Sequence, residues 1–157
     1  VFVIGVEANP KLISVIEKTR EINDGLFEIL HRAYATSGNT ITFHEASEMW
    51  GGSSYSNHPL VSEDGETHEI TTASLSDILA DYKIDGKVQL IADIEGQEID
   101  LITDEYDTLS SHCELLIIEL HDDLVRPDME TIREQLRTDF EHVDSIERTH
   151  VYYNKNV

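Results

Sequence analysis

Apolar positions along the chain fall into short runs separated by polar or helix-periodic stretches, which is the pattern of strands alternating with helices. Phe2-Val3-Ile4-Gly5-Val6 is too short for a helix and rich in β-branched residues, so it predicts a buried parallel strand ending at Glu7. Asn9 as N-cap and Pro10 at the first helical position then predict a helix with Leu12, Val15 and Ile16 on one face, closed by Asp24-Gly25. Leu26 to Ala35 reads as a second strand stopped by Thr36-Ser37-Gly38-Asn39, and Ile41 to Phe43 as another. From Glu45 to Thr67 the chain is polar and rich in Gly and Ser, with Trp50 and Tyr55 embedded, and predicts a long loop suited to an active-site lid.

Strand-like Ile70-Thr71-Thr72 leads to Ser74, a capping residue for a helix carrying Leu75, Ile78 and Leu79. The strand Val88 to Asp93 is followed at once by a helix with Ile99, Leu101, Ile102 and Leu109 on its apolar side, and Leu115 to Leu120 forms the next buried strand. Pro127 opens a helix with Met129, Ile132, Leu136 and Phe140 inward; Val143 to Ile146 and Thr149 to Tyr153 alternate as a terminal hairpin. The fold class expected is α/β: one domain over 1–157, a mostly parallel sheet covered on both faces, with the hairpin adding antiparallel strands at one edge. Ligands of such sheets bind at the carboxyl ends of strands, usually over a glycine-rich first turn. The chain contains no such turn, and a fully apolar first strand calls for a neighbour on each side, so one further βα unit is expected ahead of Val1.

Charge changes this picture more than bulk composition does. Thirty-two acidic against 11 basic residues give a net charge of −21, spread along the whole chain, which excludes nucleic acid as a natural partner and fits the solvated acidic surface of a salt-adapted protein. No apolar run approaches the roughly 18 residues of a membrane span, and VFVIGVEANP lacks the features of a signal peptide. The single cysteine, Cys113, lies in an apolar run and predicts a buried, inert thiol in a reducing, cytoplasmic setting.

Three groups of residues carry candidate chemistry. Glu7, at the end of the first strand, could accept the ribose hydroxyls of a nucleoside cofactor, although a helix N-terminus beside it would favour an acid in any case. Asp93, Glu95 and Glu98 cluster at the end of a central strand, with Glu95 and Glu98 expected in the first helical turn. Glu119 and His121 share one side of the next strand, where the imidazole could take a proton from an acceptor hydroxyl or simply cap backbone groups at the strand exit.

These segments resemble the FkbM methyltransferases. Glu7-Ala8-Asn9-Pro10 is similar to that family's Glu-Pro-Asn-Pro turn, and LIADIEGQEIDLI to its Lys-Ile-Asp-Val-Glu-Gly-Ala-Glu signature, with Asp93, Glu95, Gly96 and Glu98 in register and Ile91 where many members carry lysine. Ile117-Ile118-Glu119-Leu120-His121 resembles the family's strand ending in Glu-X-His. HRAYATSGNTITF, TTASLSDILADY and WGGSSYS extend the likeness over nearly the whole chain. The resemblance implies a Rossmann-like class I fold and S-adenosyl-L-methionine (SAM) as cofactor, contacted by Glu7, Ala8, Asn9 and Ala33. It implies a small-molecule or glycan hydroxyl as acceptor, with His121, Asp93 and Glu95 catalytic. Trp50, Ser53, Ser54, Glu98 and Glu119 would then line the substrate; for Trp50, stacking on a sugar competes with ordinary lid packing.

The eight histidines form no HExxH or HxH arrangement and no CxxC is present, so the preferred site is metal-free, with magnesium or calcium at the acids as the lesser alternative. The competing expectation from another class is a non-catalytic acidic scaffold that keeps the architecture without holding SAM.

Overall fold

The computed structural model describes residues 1–46, 51–56, 61, 65–121 and 129–156. They form a mixed α/β structure in two compact units, Val1–Ala73 and Ser74–Val157. Trp50 and Pro127 lie outside the described residues.

In the first unit, β1 (Val3–Glu7) leads through the Asn9 cap into α1 (Pro10–Ile22), and the Asn9 side chain accepts the Lys11 N–H at 3.0 Å. The helix ends as expected. Asp24 adopts φ 56°, while the Gly25 and Asp24 N–H groups donate back to the Arg20 and Glu21 carbonyls, satisfying orphan acceptors of the last turn. β2 (Phe27–His31) pairs parallel with β1. Its side chains and those of β1 are less enclosed than the apolar sequence predicts: Val3 is 49% and Val6 40% exposed.

The strand expected from Leu26 to Ala35 is divided. The Arg32 N–H donates to both Glu7 and Leu30 carbonyls, and beyond it β3 (Ala33–Tyr34) joins another sheet, parallel to β6 (Thr67–Ala73). β4 (Thr40–Glu45) runs antiparallel to β6 and to β5 (Gly52–Ser53), giving the order β3-β6-β4-β5. The long stretch expected to be a loop suited to a lid therefore contains a short strand, and Ala46 bridges Val61.

The second unit opens with α2 (Leu75–Asp81), where Ser74 and Asp77 form a capping box. Buried Glu105 reinforces it from 30 residues away, accepting the N–H groups of Leu75 and Ser76. After β7 (Val88–Ala92) the expected single helix is two, α3 (Glu98–Asp104) and α4 (Tyr106–His112), divided at Glu105. β8 (Cys113–Glu119) lies parallel to β7. Burial pushes the Cys113 thiol up to about 11, in keeping with an inert side chain.

α5 (Met129–Asp139) buries Ile132 and Leu136; Phe140 is also buried but begins β9 (Phe140–Ile146) and not the helix end. β10 (Thr149–Asn154) completes the expected hairpin and lies between β8 and β9, so the order is β7-β8-β10-β9. Asn154, fully buried, donates to the Ser110 and Cys113 carbonyls and pins the end of the hairpin to the α4–β8 junction. The strands thus pair in three small sheets, two of them mixed, where the pattern of the sequence suggested one mostly parallel sheet. Among the described residues parallel pairing is confined to β1-β2, β3-β6 and β7-β8. Among the described residues no helix is long and apolar enough to cross a membrane.

Gly52 is required by space. A Cβ there would stand 2.2 Å from Phe43 Cζ and 2.8 Å from the His44 carbonyl oxygen, and Phe43 belongs to the core cluster with Ala33 and Ile70. Gly52→Ala is expected to destabilise the protein by about 2–3 kcal/mol through overpacking, read as a lower urea midpoint at unchanged m-value.

Candidate active site at the exits of β7 and β8

Parallel pairing sets the carboxyl ends of β7 and β8 side by side, with Ala92 in register with Ile118. Asp93 follows the first strand, Glu119 ends the second, and His121 lies two residues further on. Between β7 and α3 the chain turns through Glu95 (φ 51°) and Gly96 (φ 102°), so Glu95 precedes the helix and does not form part of its first turn. A left-handed Glu costs about 1–2 kcal/mol, and here it aims the backbone donors on either side of it inward. The Ile94 and Gly96 N–H groups donate to the two oxygens of Glu98 at 2.9 and 2.8 Å.

Glu98 is 1% exposed. It was expected beside a substrate; the structure turns it inward instead, where it shapes the turn and holds His121 at 3.1 Å through Nδ1. The other ring nitrogen, Nε2, faces Glu95 at 3.3 Å and Glu119 at 3.7 Å. The Glu98 hydrogen bond, with the charges of Glu95 and Glu119, raises the His121 pKa to about 9 against the opposing effect of burial. His121 is therefore a cation at neutral pH, where the sequence left open a proton acceptor or a cap on backbone groups. Burial, and then the neighbouring carboxylates Asp93, Glu98 and Glu119, raise the Glu95 pKa despite the attraction of His121. Ile91, where the resemblance calls for lysine, is 76% exposed.

In the first unit the Glu7-Ala8-Asn9-Pro10 turn stands at the carboxyl end of β1. Glu7 accepts the Asn9 N–H through Oε1 at 2.7 Å; a carboxylate offers two oxygens and about four lone-pair sites, so acceptor capacity remains for hydroxyls. Asn9, expected to touch cofactor, is 2% exposed: its Oδ1 caps α1 and its Nδ2 donates to the Gly51 carbonyl at 3.2 Å. Ala33, also 2% exposed, packs with Phe43 and Ile70, and Ala8 lies against that cluster. Ser53 is buried and its Oγ accepts the Tyr55 N–H, while Ser54 is partly exposed. Asn9 and Ser53 thus hold the backbone of the turn and of the glycine-serine segment, and Ala33 lies beneath them as core.

One cluster escaped the sequence reading. Glu45, 4% exposed, meets Lys11 Nζ at 2.6 Å and His68 Nε2 at 2.8 Å. The Lys11 hydrogen bond, assisted by His68, holds its carboxyl below the usual range against the effect of burial. The signal was the alternation of β4: Glu45 is in phase with Ile41 and Phe43, so an acid falls on the inward face.

Among the described residues two groups bring ligand atoms within 4.8 Å of one another, Asp93-Glu95-His121 and Glu45-Glu66-His68. His121 already faces Glu95, Glu98 and Glu119, and Lys11 and His68 both meet Glu45.

The Methyltransferase FkbM domain model matches residues 2–152. No curated protein and no solved structure matches the chain.

Because the His121 pKa of about 9 lies above its ordinary value of 6.5, the ion pair should stabilise the fold fully below pH 6.5 and lose that contribution as pH rises to about 9. The expected result is an imidazole NMR signal that titrates near pH 9 and is missing from His121→Gln. The urea midpoint of the wild type should also fall more steeply than the variant's over that window.

Proposed function

Because the chain belongs to the FkbM methyltransferase family, we propose that it is a SAM-dependent O-methyltransferase acting on a hydroxyl of a small molecule or sugar. The observation that carries this reading is the family match over residues 2–152. The three parallel strand pairs suit a Rossmann-like class I sheet, whose ligands bind beyond the carboxyl ends of strands. SAM, when bound, supplies a methyl group on a positively charged sulfur.

Glu7 is the residue to hold the cofactor ribose, since its carboxylate is fixed at the end of β1 by the Asn9 N–H and accepts hydroxyl donors. Asn9, Ser53 and Ala33 support that position without touching the ligand through their side chains. At the exits of β7 and β8, Glu95 is the base for the acceptor hydroxyl. Its raised pKa makes it a stronger base than an ordinary carboxylate, and it is partly exposed beside Asp93 and Glu119. His121, protonated and locked by Glu98, orients Glu95 and offsets the acids around it. Methyl transfer between two well-placed reactants depends chiefly on alignment, so the base contributes less than position.

Calorimetric titration of SAM and its demethylated product into protein expressed from the complete gene, in high salt, tests the cofactor assignment. Glu7→Ala should weaken binding at least tenfold while retaining the fold; failure of the wild type to bind either ligand overturns the reading. With an acceptor found by screening hydroxyl compounds, Glu95→Gln should lower turnover by about 10²-fold or more without altering SAM affinity. Unchanged turnover would remove Glu95 as the base.

A further inference from the structure

The terminal hairpin carries two histidines that the methyl-transfer reading does not use. In β9 and β10 the register runs Val151↔Asp144 and then Tyr152↔His142, so Val143 has no partner and β9 bulges. Without the bulge Tyr152 would face Val143, and His142 would pair with Tyr153 and point to the opposite side of the sheet. The extra residue puts His142 across from Tyr152 and diagonal to His150, on one face. The two imidazoles meet there: His142 Nε2 lies 3.4 Å from His150 Nδ1, with ring centroids 5.5 Å apart and planes tilted by 49°.

Both rings rest against Tyr152, at centroid distances of 5.1 and 6.2 Å, and Tyr152 is itself 1% exposed and cannot easily move. His142 is exposed and His150 partly so, which leaves the pair open to solvent.

We propose that His142 and His150 form a cross-strand bis-imidazole site for a borderline divalent transition-metal ion of the zinc type. Two nitrogens bound to one tetrahedral ion at about 2.0–2.1 Å stand about 3.3–3.4 Å apart, the separation the hairpin already provides. In the metal-free protein a hydrogen bond joins the two ring nitrogens. The ion takes the place of that hydrogen bond, uses a lone pair from each ring, and completes its shell with water. Imidazole selects zinc, copper and nickel over magnesium and calcium, which prefer oxygen. A protein of net charge −21 also draws cations to its surface. With only two protein ligands the site clips β9 to β10 and keeps open coordination positions.

The test is a Zn²⁺ titration in excess Mg²⁺, so that carboxylate sites are filled, followed through the imidazole ¹⁵N resonances. His142 Nε2 and His150 Nδ1 should both shift with a one-to-one endpoint. His142→Asn or His150→Asn should each weaken binding at the remaining ring at least tenfold, with the amide spectrum of the core retained. Rings that do not move, or single variants that bind as tightly as the wild type, overturn the proposal. The wild-type ring shifts decide the matter alone if a variant loses its fold.

Discussion

The arrangement at the exits of β7 and β8 depends on one buried carboxylate. Glu98 is almost wholly removed from water, a position a charge can hold only when its oxygens are answered by donors. Two of those donors are backbone N–H groups of the turn that precedes it, and the third is His121 at the end of the neighbouring strand. The left-handed Glu95-Gly96 turn and the path of the chain leaving β8 are thereby coupled. Moving either would leave the carboxylate short of a partner, and the positions of Asp93, Glu95 and Glu119 follow from the same constraint.

The first unit repeats the solution with a different cation. Buried Glu45 links the first turn of α1, through Lys11, to the β4-β6 pair, through His68, and Asn9 adds a bond to Gly51. In both places the polar residues fall into two groups. Inner ones, Glu98 and Asn9, spend their hydrogen-bonding capacity on the protein and fix the backbone; outer ones, Glu95 and Glu7, stand more open beyond the carboxyl ends of β7 and β1. Such rigid support for a reactive group is what orientation-dependent chemistry requires.

Histidine shows how far a neighbour decides chemical character. His121 among three carboxylates has its pKa raised to about 9 and stands beside Glu95 as a cation at neutral pH. His142 and His150 face each other and rest against Tyr152. The same side chain meets carboxylates in one setting and other rings in the other.

By itself the sequence determined the order and kind of most elements, because local rules act over a few residues: the Asn9-Pro10 helix start, the Ser74 cap, the Asp24-Gly25 stop and the terminal hairpin are all written in adjacent positions. It also determined the family and which acids and histidine gather at one strand end, since motif spacing and strand adjacency are enough for that. Only the tertiary structure decided the rest. The division of Leu26–Ala35 between two sheets, the splitting of the helix at Glu105, the inward turn of Glu98 and the inclusion of Glu45 in the core all arise from contacts between residues distant in sequence. The raised pKa of His121 belongs with them, because a pKa is set by the groups packed around a residue and not by those beside it in the chain.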